Sequence, residues 1–330
     1  MNKLFVSPSP HTYTGESIPK LMYGVILSLL PALAVSVFYF GIGMIVVTSV
    51  SIASCILFEY LIQKYLMKVA PTHLDGSALL TGLLLAFCLP TNIPFWMVMI
   101  GALAAVGIGK MTFGGLGNNI FNPALVGRVF LFISFPVAMT AWPEAGQWMQ
   151  YTDAVTGATP LGLMKEGLAF KTVGEIMPEV PSTLHLFLGK MSGSAGEISA
   201  LALLVGMLYM LYRKIISWHI PLSILGTVFV FTGILWLVNP DRFADPLFHL
   251  LTGGLMLGAI YMATDYVTSP MSSKGMLIYG AGIGIVTVLI RIFGAYPEGV
   301  QFAILIFNGF TPLINKFIKP KRFGKELKHG

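Results

Sequence analysis

The 330-residue sequence predicts an all-α polytopic membrane protein: about ten transmembrane helices in two inverted five-helix halves, with both termini cytoplasmic. Three observations carry this. Charged residues make up 10% of the chain and hydrophobic residues 55%, where a soluble domain carries about 25% charged residues. The apolar residues come in runs close to the roughly 20 residues that cross a bilayer. Lysine and arginine then segregate to one side when the runs are threaded alternately through a membrane.

The runs are taken in chain order. The opening "MNKLFVSPSPHTYTGESIPK" is polar and turn-rich, without the basic start, apolar run and small-residue site of a cleavable signal. Runs then follow at 21–40, 44–62, 77–90, 95–109 and 120–139. A hydrophilic interval occupies 141–197, and five more runs lie at 198–212, 220–238, 247–263, 276–293 and 300–318. The third and eighth are short and interrupted by glycine, which predicts broken or re-entrant elements. The domain reading is therefore 1–140 for the first half with its cytoplasmic N-terminal segment, 141–197 for an extracytoplasmic loop, and 198–330 for the second half with a basic cytoplasmic end.

With the N-terminus inside, Lys3, Lys20, Lys64, Lys68, Lys110, Arg213, Lys214, Lys274, Lys316, Lys319, Lys321, Arg322, Lys325 and Lys328 all fall on the cytoplasmic face. Lys165, Lys171, Lys190 and Arg242 fall outside, and Arg128 and Arg291 lie within runs. The loop agrees, with six carboxylates against three lysines. The formal charge of +6 is thus that of a cytoplasmic membrane face, and it needs a lipid bilayer rather than a nucleic acid as partner.

An internal echo supports two halves. Leu79-Leu80-Thr81-Gly82 matches Leu250-Leu251-Thr252-Gly253, and Ile120-Phe121-Asn122 matches Ile306-Phe307-Asn308. Halves with an odd number of spans are inverted relative to one another, a plan that places ion and substrate sites at the repeat interface. Cys55 and Cys88 both lie in apolar runs and form no close pair, so neither a disulfide framework nor a four-thiolate cluster is expected. His73, His185, His219 and His249 show no metal-ligand spacing. "GIGKMTFGGLG" has the glycines of a phosphate loop but no strand before it, which excludes a nucleotide site there.

Few residues are left to carry chemistry. In Asp153-Ala-Val-Thr156-Gly157-Ala158-Thr159-Pro160, Thr159 offers a hydroxyl beside small residues that let another active site approach it closely. The same letters also read as a helix start, with Thr159 as N-cap and Pro160 first in the helix. Asn119 and Asn122 beside Pro123 put amide groups at membrane depth, where polar residues line cavities or face protein; the plainer reading is a capped helix start. Arg128 reads either as a counter-charge or as a snorkelling side chain. Glu59, Asp75 and Asp265 are candidates for a proton or cation path, or for solvated helix ends. Thr81 and Thr252 could offer oxygens to a hard cation.

Several long motifs in order resemble one family: "SPSPHTYTGESIPKLM", "LDGSALLTGLLLAFCLP", "GKMTFGGLGNNIFNPALVGRVFLFISFP", "DAVTGATPL" and "MATDYVTSP". The chain is similar to the D subunits of Rnf complexes, membrane-bound electron-transfer chains, and to the related B subunits of sodium-pumping NADH:quinone oxidoreductases; the short N-terminus fits the former better. The resemblance implies FMN joined to Thr159 through a phosphoester by a flavin transferase, with Asp153, Thr156, Gly157 and Ala158 as the rest of its motif. It also implies a non-covalent riboflavin with Asn119 and Asn122 among its contacts; Arg128, by its own chemistry, would then balance flavin charge or only snorkel. The expected function is that of a membrane subunit of an ion-translocating (Na+ or H+) ferredoxin:NAD+ oxidoreductase, inactive alone, in the cytoplasmic (inner) membrane with the other Rnf subunits (A, B, C, E and G). Three other readings stay open: a quinone-reactive subunit of the sodium-pumping type, a flavin-free secondary transporter, and a passive anchor that only assembles the complex.

Overall fold

A computed structural model describes residues 15–72 and 74–319. Lys3, His73, Lys321, Arg322, Lys325 and Lys328, together with the first residues of the N-terminal motif, lie outside the described residues. Every named element within them is helical.

The first half is built from α1 (Ile18–Phe40), α2 (Ile42–Leu61), α3 (Ser77–Phe87), α4 (Phe95–Leu103) and α5 (Pro123–Ser134). Wider π turns extend α2 over Ile62–Met67 and α4 over Ala104–Ile108. A short α6 (Pro136–Thr140) follows, and the long loop carries α7 (Pro160–Gly167), α8 (Val173–Ile176) and α9 (Thr183–Leu188). The second half has α10 (Ala200–Tyr212), α11 (His219–Val238), α12 (Pro246–Leu251), α13 (Leu255–Leu257) with a π turn over Gly258–Met262, α14 (Ser273–Phe293) and α15 (Val300–Phe317).

The ten apolar runs therefore all become helical elements, but two behave differently from simple spans. Run 247–263 breaks at Thr252-Gly253-Gly254, between α12 and α13, as its glycines predict. Run 120–139 is interrupted as well. Phe135 precedes Pro136 and leaves the helical region, with φ −133° and ψ 58°, because the proline ring clashes with a helical preceding residue. At 11 residues, α3 spans only about 16 Å at 1.5 Å per residue, about half a bilayer core.

Five helical stretches are long and apolar enough to cross a membrane: Ile18–Phe40, Ile42–Met67, Phe95–Phe113, His219–Val238 and Ser273–Phe293. Half or more of each apolar window is not buried within the fold, with Leu27, Leu30 and Phe38 exposed on α1 and Leu222, Phe229, Val230 and Ile234 on α11. Water-soluble monomers do not carry apolar area of this extent. The chain is a multi-pass membrane protein.

The halves pack alike. α2 packs against α3 and α4, and α11 against α12 and α14; α4 meets α5 as α14 meets α15. The halves join where α1 crosses α10 and where α5 meets α15. The α1–α10 crossing depends on Gly206, since a Cβ there would collide with the Ser28 carbonyl and the Tyr261 hydroxyl. Tyr261 Oη donates to that same carbonyl at 3.1 Å. Gly206→Ala is expected to cost about 1–3 kcal/mol through overpacking; an unchanged thermal unfolding midpoint in detergent would remove the crossing from the account.

Candidate functional site

The polar residues singled out in the sequence gather at two places, one at each end of α5. At its start, Asn122 caps the helix, accepting from the Ala124 and Leu125 N–H groups at 3.0 and 3.3 Å, with Pro123 first in the helix. Its amide nitrogen donates across the half-boundary to Met262 O at 3.2 Å. The amide of Asn308, with its oxygen toward α5, accepts from Asn122 N–H at 3.0 Å and donates to Tyr279 Oη at 2.6 Å. The two echoing asparagines therefore touch, one from each half.

Beside them lies a mostly apolar cavity. Its polar wall includes Asn119, Asn122, Thr81, Asp265, Ser77 and Lys110. Four of these stand out in the sequence, on segments up to 184 residues apart (Thr81 to Asp265). Asn119 is buried and donates to Phe121 O at 3.2 Å, while its Oδ1 accepts nothing. A buried acceptor without a donor is costly in a folded chain, and here it belongs to a residue that lines the cavity.

Lys110 departs from its expected place on a cytoplasmic connector. It is 1% exposed and donates to Glu59 Oε2 and to Ser77 Oγ, both at 2.6 Å. Ser77 Oγ donates in turn to Asp75 Oδ1 at 2.5 Å. Glu59 is fully buried and is not a solvated helix end. The reason is elementary: neither charge is tolerated in a membrane interior without its partner. Asp75 serves as a local acceptor for Ser77 N–H (2.8 Å) ahead of α3.

The other end of α5 meets the loop. Arg128, 2% exposed, neither snorkels nor walls the cavity. Its Nη1 lies 2.6 Å from Glu197 Oε1 and its Nη2 2.6 Å from Glu298 Oε2, and Ser194 Oγ donates to the other oxygen of Glu197. This cluster pins α5, the end of the loop and the α14–α15 connection together. Sequence reading places Glu197 in a solvated loop and does not single out Glu298. Only the presence of an arginine inside an apolar run signals that carboxylates have to exist.

Thr159 sits immediately beside this cluster. One small cleft is walled by Thr159, Ser192, Ser194, Glu197 and Glu298. A second, with a volume of about 220 Å³, is walled by Thr159, Phe132, Trp142, Tyr296 and Glu298. Thr159 Oγ1 accepts from Gly162 N–H at 3.1 Å as the N-cap of α7, and Pro160 is the first helical residue. The helix-start reading is thus correct, and it leaves the half-buried hydroxyl at a helix N-terminus, which favours a phosphate on that oxygen.

The tract before it is held by a short antiparallel pairing, Glu144 N–H to Val155 O (3.0 Å) and Gly157 N–H to Trp142 O (2.8 Å). Asp153, Thr156 and Ala158 are exposed. Gly157 is small for packing: a Cβ there would meet Glu144 and Ser192 Oγ at 2.9 Å. Further along α7, Lys165 Nζ donates to the carbonyls of Arg291, Gly294 and Tyr296 at 3.2, 2.6 and 2.8 Å. Burial lowers its pKa below the ordinary lysine value.

Thr252, fully buried, is held by local hydrogen bonds. Its hydroxyl donates to Phe248 O at 2.6 Å, and its carbonyl accepts from Arg291 Nη2 at 2.9 Å. Arg291 Nη1 also reaches His249 O at 2.6 Å, so a fixed guanidinium already occupies the carbonyl end of α12. Among the described residues no cluster of three or more His, Cys, Asp or Glu could hold a metal ion.

An all-helical fold with several helices long and apolar enough to cross a membrane, a polar-walled cavity between its halves and a loop set over buried ion pairs places the chain among polytopic membrane proteins. The chain belongs to the NQR2, RnfD, RnfE family, whose pattern matches residues 5–324. It is 45% identical over 323 residues to the D subunit of the proton-translocating ferredoxin:NAD(+) oxidoreductase complex of Clostridium ljungdahlii, covering 98% of this chain and 97% of that one. It is 44% identical to the D subunit of the Na(+)-translocating ferredoxin:NAD(+) oxidoreductase complex of Acetobacterium woodii, over 97% and 95% of the two chains. It is 38% identical to the D subunit of the ion-translocating oxidoreductase complex of Cronobacter sakazakii, over 97% and 98%.

Proposed function

We propose that this chain is the flavin-carrying membrane subunit of an ion-translocating ferredoxin:NAD+ oxidoreductase, with FMN esterified to Thr159 and riboflavin in the cavity beside Asn119 and Asn122. The observation that carries the reading is the placement of both sites on one helix. Asn122 at the start of α5 walls the cavity, and Phe132 near its end walls the Thr159 cleft. Ten helical residues at 1.5 Å each separate them by about 15 Å. When bound, the two flavins would supply electron carriers at the two ends of that distance.

The chain's own groups fit both cofactors. Asn119 Oδ1 is a buried acceptor in want of a donor, the side chains of Asn122 and Thr81 add polar atoms, and the remaining wall is apolar enough for a ring system. At the other site the N-terminus of α7 favours the phosphate, and the aromatic faces of Trp142, Phe132 and Tyr296 favour the ring. The ten helical runs are read as ten spans in two inverted halves, with both termini on the cytoplasmic side of the inner membrane and the Thr159 loop on the opposite side, where a flavin transferase reaches it. Other subunits of the complex supply the ferredoxin and NAD+ sites. All four cation-path candidates make local hydrogen bonds; Thr81 and Asp265 line the cavity between the halves, and Asp75 and Thr252 do not.

Acid extraction of the purified complex followed by chromatography is expected to release riboflavin, and Asn119→Leu is expected to reduce its yield at least about tenfold, given a lost buried hydrogen bond and a clash. Full riboflavin content in Asn119→Leu would sink the assignment of that cavity.

A further inference from the structure

A second cavity is unused by this function. It lies where α7 folds onto the ends of α12 and α14 and opens to the surface, with a volume of about 280 Å³. Its polar walls are Lys165, Arg242, His249 and Arg291, and no carboxylate is among the described residues that line it. Two of these carry unpartnered atoms. His249 is 7% exposed and Arg291 5%, and both His249 Nδ1 and Arg291 Nε are buried without a hydrogen-bond partner. Arg291 spends its two terminal nitrogens on the carbonyls of α12, which leaves Nε as a free donor. Lys165 spends its N–H groups on the carbonyls that end α14 and contributes its charge through space. Arg242 is exposed at the mouth.

The rest of the wall is apolar and includes Phe243 and Phe293. Phe293 closes α14 and is 67% exposed, at the end of a helix long and apolar enough to cross a membrane. A pocket with cations, two unused nitrogens, no acid and an apolar flank selects an anion with an apolar body. We propose that this cavity is a binding site for the phosphate group of an anionic phospholipid, with its acyl chains leaving over Phe293. The phosphoryl oxygens accept from Arg291 Nε, from His249 Nδ1 in the tautomer that carries the proton, and from Arg242. The bound lipid ties the loop helix α7 to the ends of α12 and α14. The inference needs only a membrane-embedded chain and stands apart from the flavin assignments.

The test uses the complex purified in detergent and washed free of loosely held lipid. It is titrated with mixed micelles containing phosphatidylglycerol or, separately, phosphatidylcholine, and retained lipid is measured after gel filtration. The wild type is expected to keep phosphatidylglycerol in preference to phosphatidylcholine. Arg242→Gln, an exposed position that leaves folding intact, is expected to weaken retention about fivefold, and Arg242→Gln with His249→Phe further. Equal retention of the two lipids, or retention unchanged in the double variant, overturns the proposal. An added arm with inorganic phosphate separates the sources: displacement shows that the phosphoryl anion alone is read, and no displacement shows that the acyl body is needed.

Discussion

Thr159→Ala is expected to abolish the ultraviolet-fluorescent band that the wild-type protein gives after denaturation in SDS and gel electrophoresis. The effect is all or none, because a phosphoester needs the hydroxyl oxygen and alanine has none. The substitution also removes the N-cap of α7, worth about 1 kcal/mol, so a dark band alone would not separate attachment from local unfolding. Thr159→Asn separates them. Asparagine caps a helix as well as threonine does but offers no hydroxyl, so it should fold normally and stay dark. Thr159→Ser, which keeps both properties, is expected to retain fluorescence to the extent that the transferase accepts serine. Fluorescence surviving in Thr159→Asn would place the flavin on another residue. A dark wild-type band from cells with an active flavin transferase would move the flavin-free transporter reading to the front.

Arg128→Leu is expected to be the most destabilising single change at the site. The guanidinium is the ion-pair partner of both Glu197 and Glu298, and its loss leaves two buried carboxylates uncompensated. Breaking one buried pair costs about 3–5 kcal/mol, a large share of the roughly 5–15 kcal/mol that holds an ordinary domain together. Arg128→Lys should recover little, since one ammonium cannot reproduce a planar fork reaching two carboxylates in different directions. Arg128→Leu combined with Glu197→Gln and Glu298→Gln should recover most of the stability, because the uncompensated charge is then gone. Thermal unfolding followed by gel filtration reads all three. Arg128→Leu melting with the wild type would mean that water reaches the carboxylates and that the cluster is not a dry floor under the Thr159 cleft.

Much of this was legible along the chain. The ten apolar runs, the broken element at Thr252-Gly253-Gly254 and the capped starts at Asn122 and Thr159 follow from local rules of run length, glycine and proline chemistry, and capping. The start of α6 was legible in principle, since Pro136 excludes a helical Phe135, but the apolarity of run 120–139 masked it. The roles of charged residues were not legible. Lys110 looks like any basic residue at a span end until Glu59, 51 positions away, is folded against it. Arg128 finds its partners 69 and 170 residues along.

The sequence by itself determined that this is a multi-pass helical membrane protein, where its helices begin, and which hydroxyl and amides are worth watching. Those properties depend on solvent transfer and on neighbours a few residues apart, which the linear order contains. Only the tertiary structure decided that Thr81, Asn119, Asn122 and Asp265 wall one cavity, that Arg128 belongs to the Thr159 side, and that Arg291 fills the carbonyl end of α12. Those are meetings of side chains from distant helices. They are set by how the helices cross and by the need of every buried charge for a partner, neither of which is written in the spacing of residues along the chain.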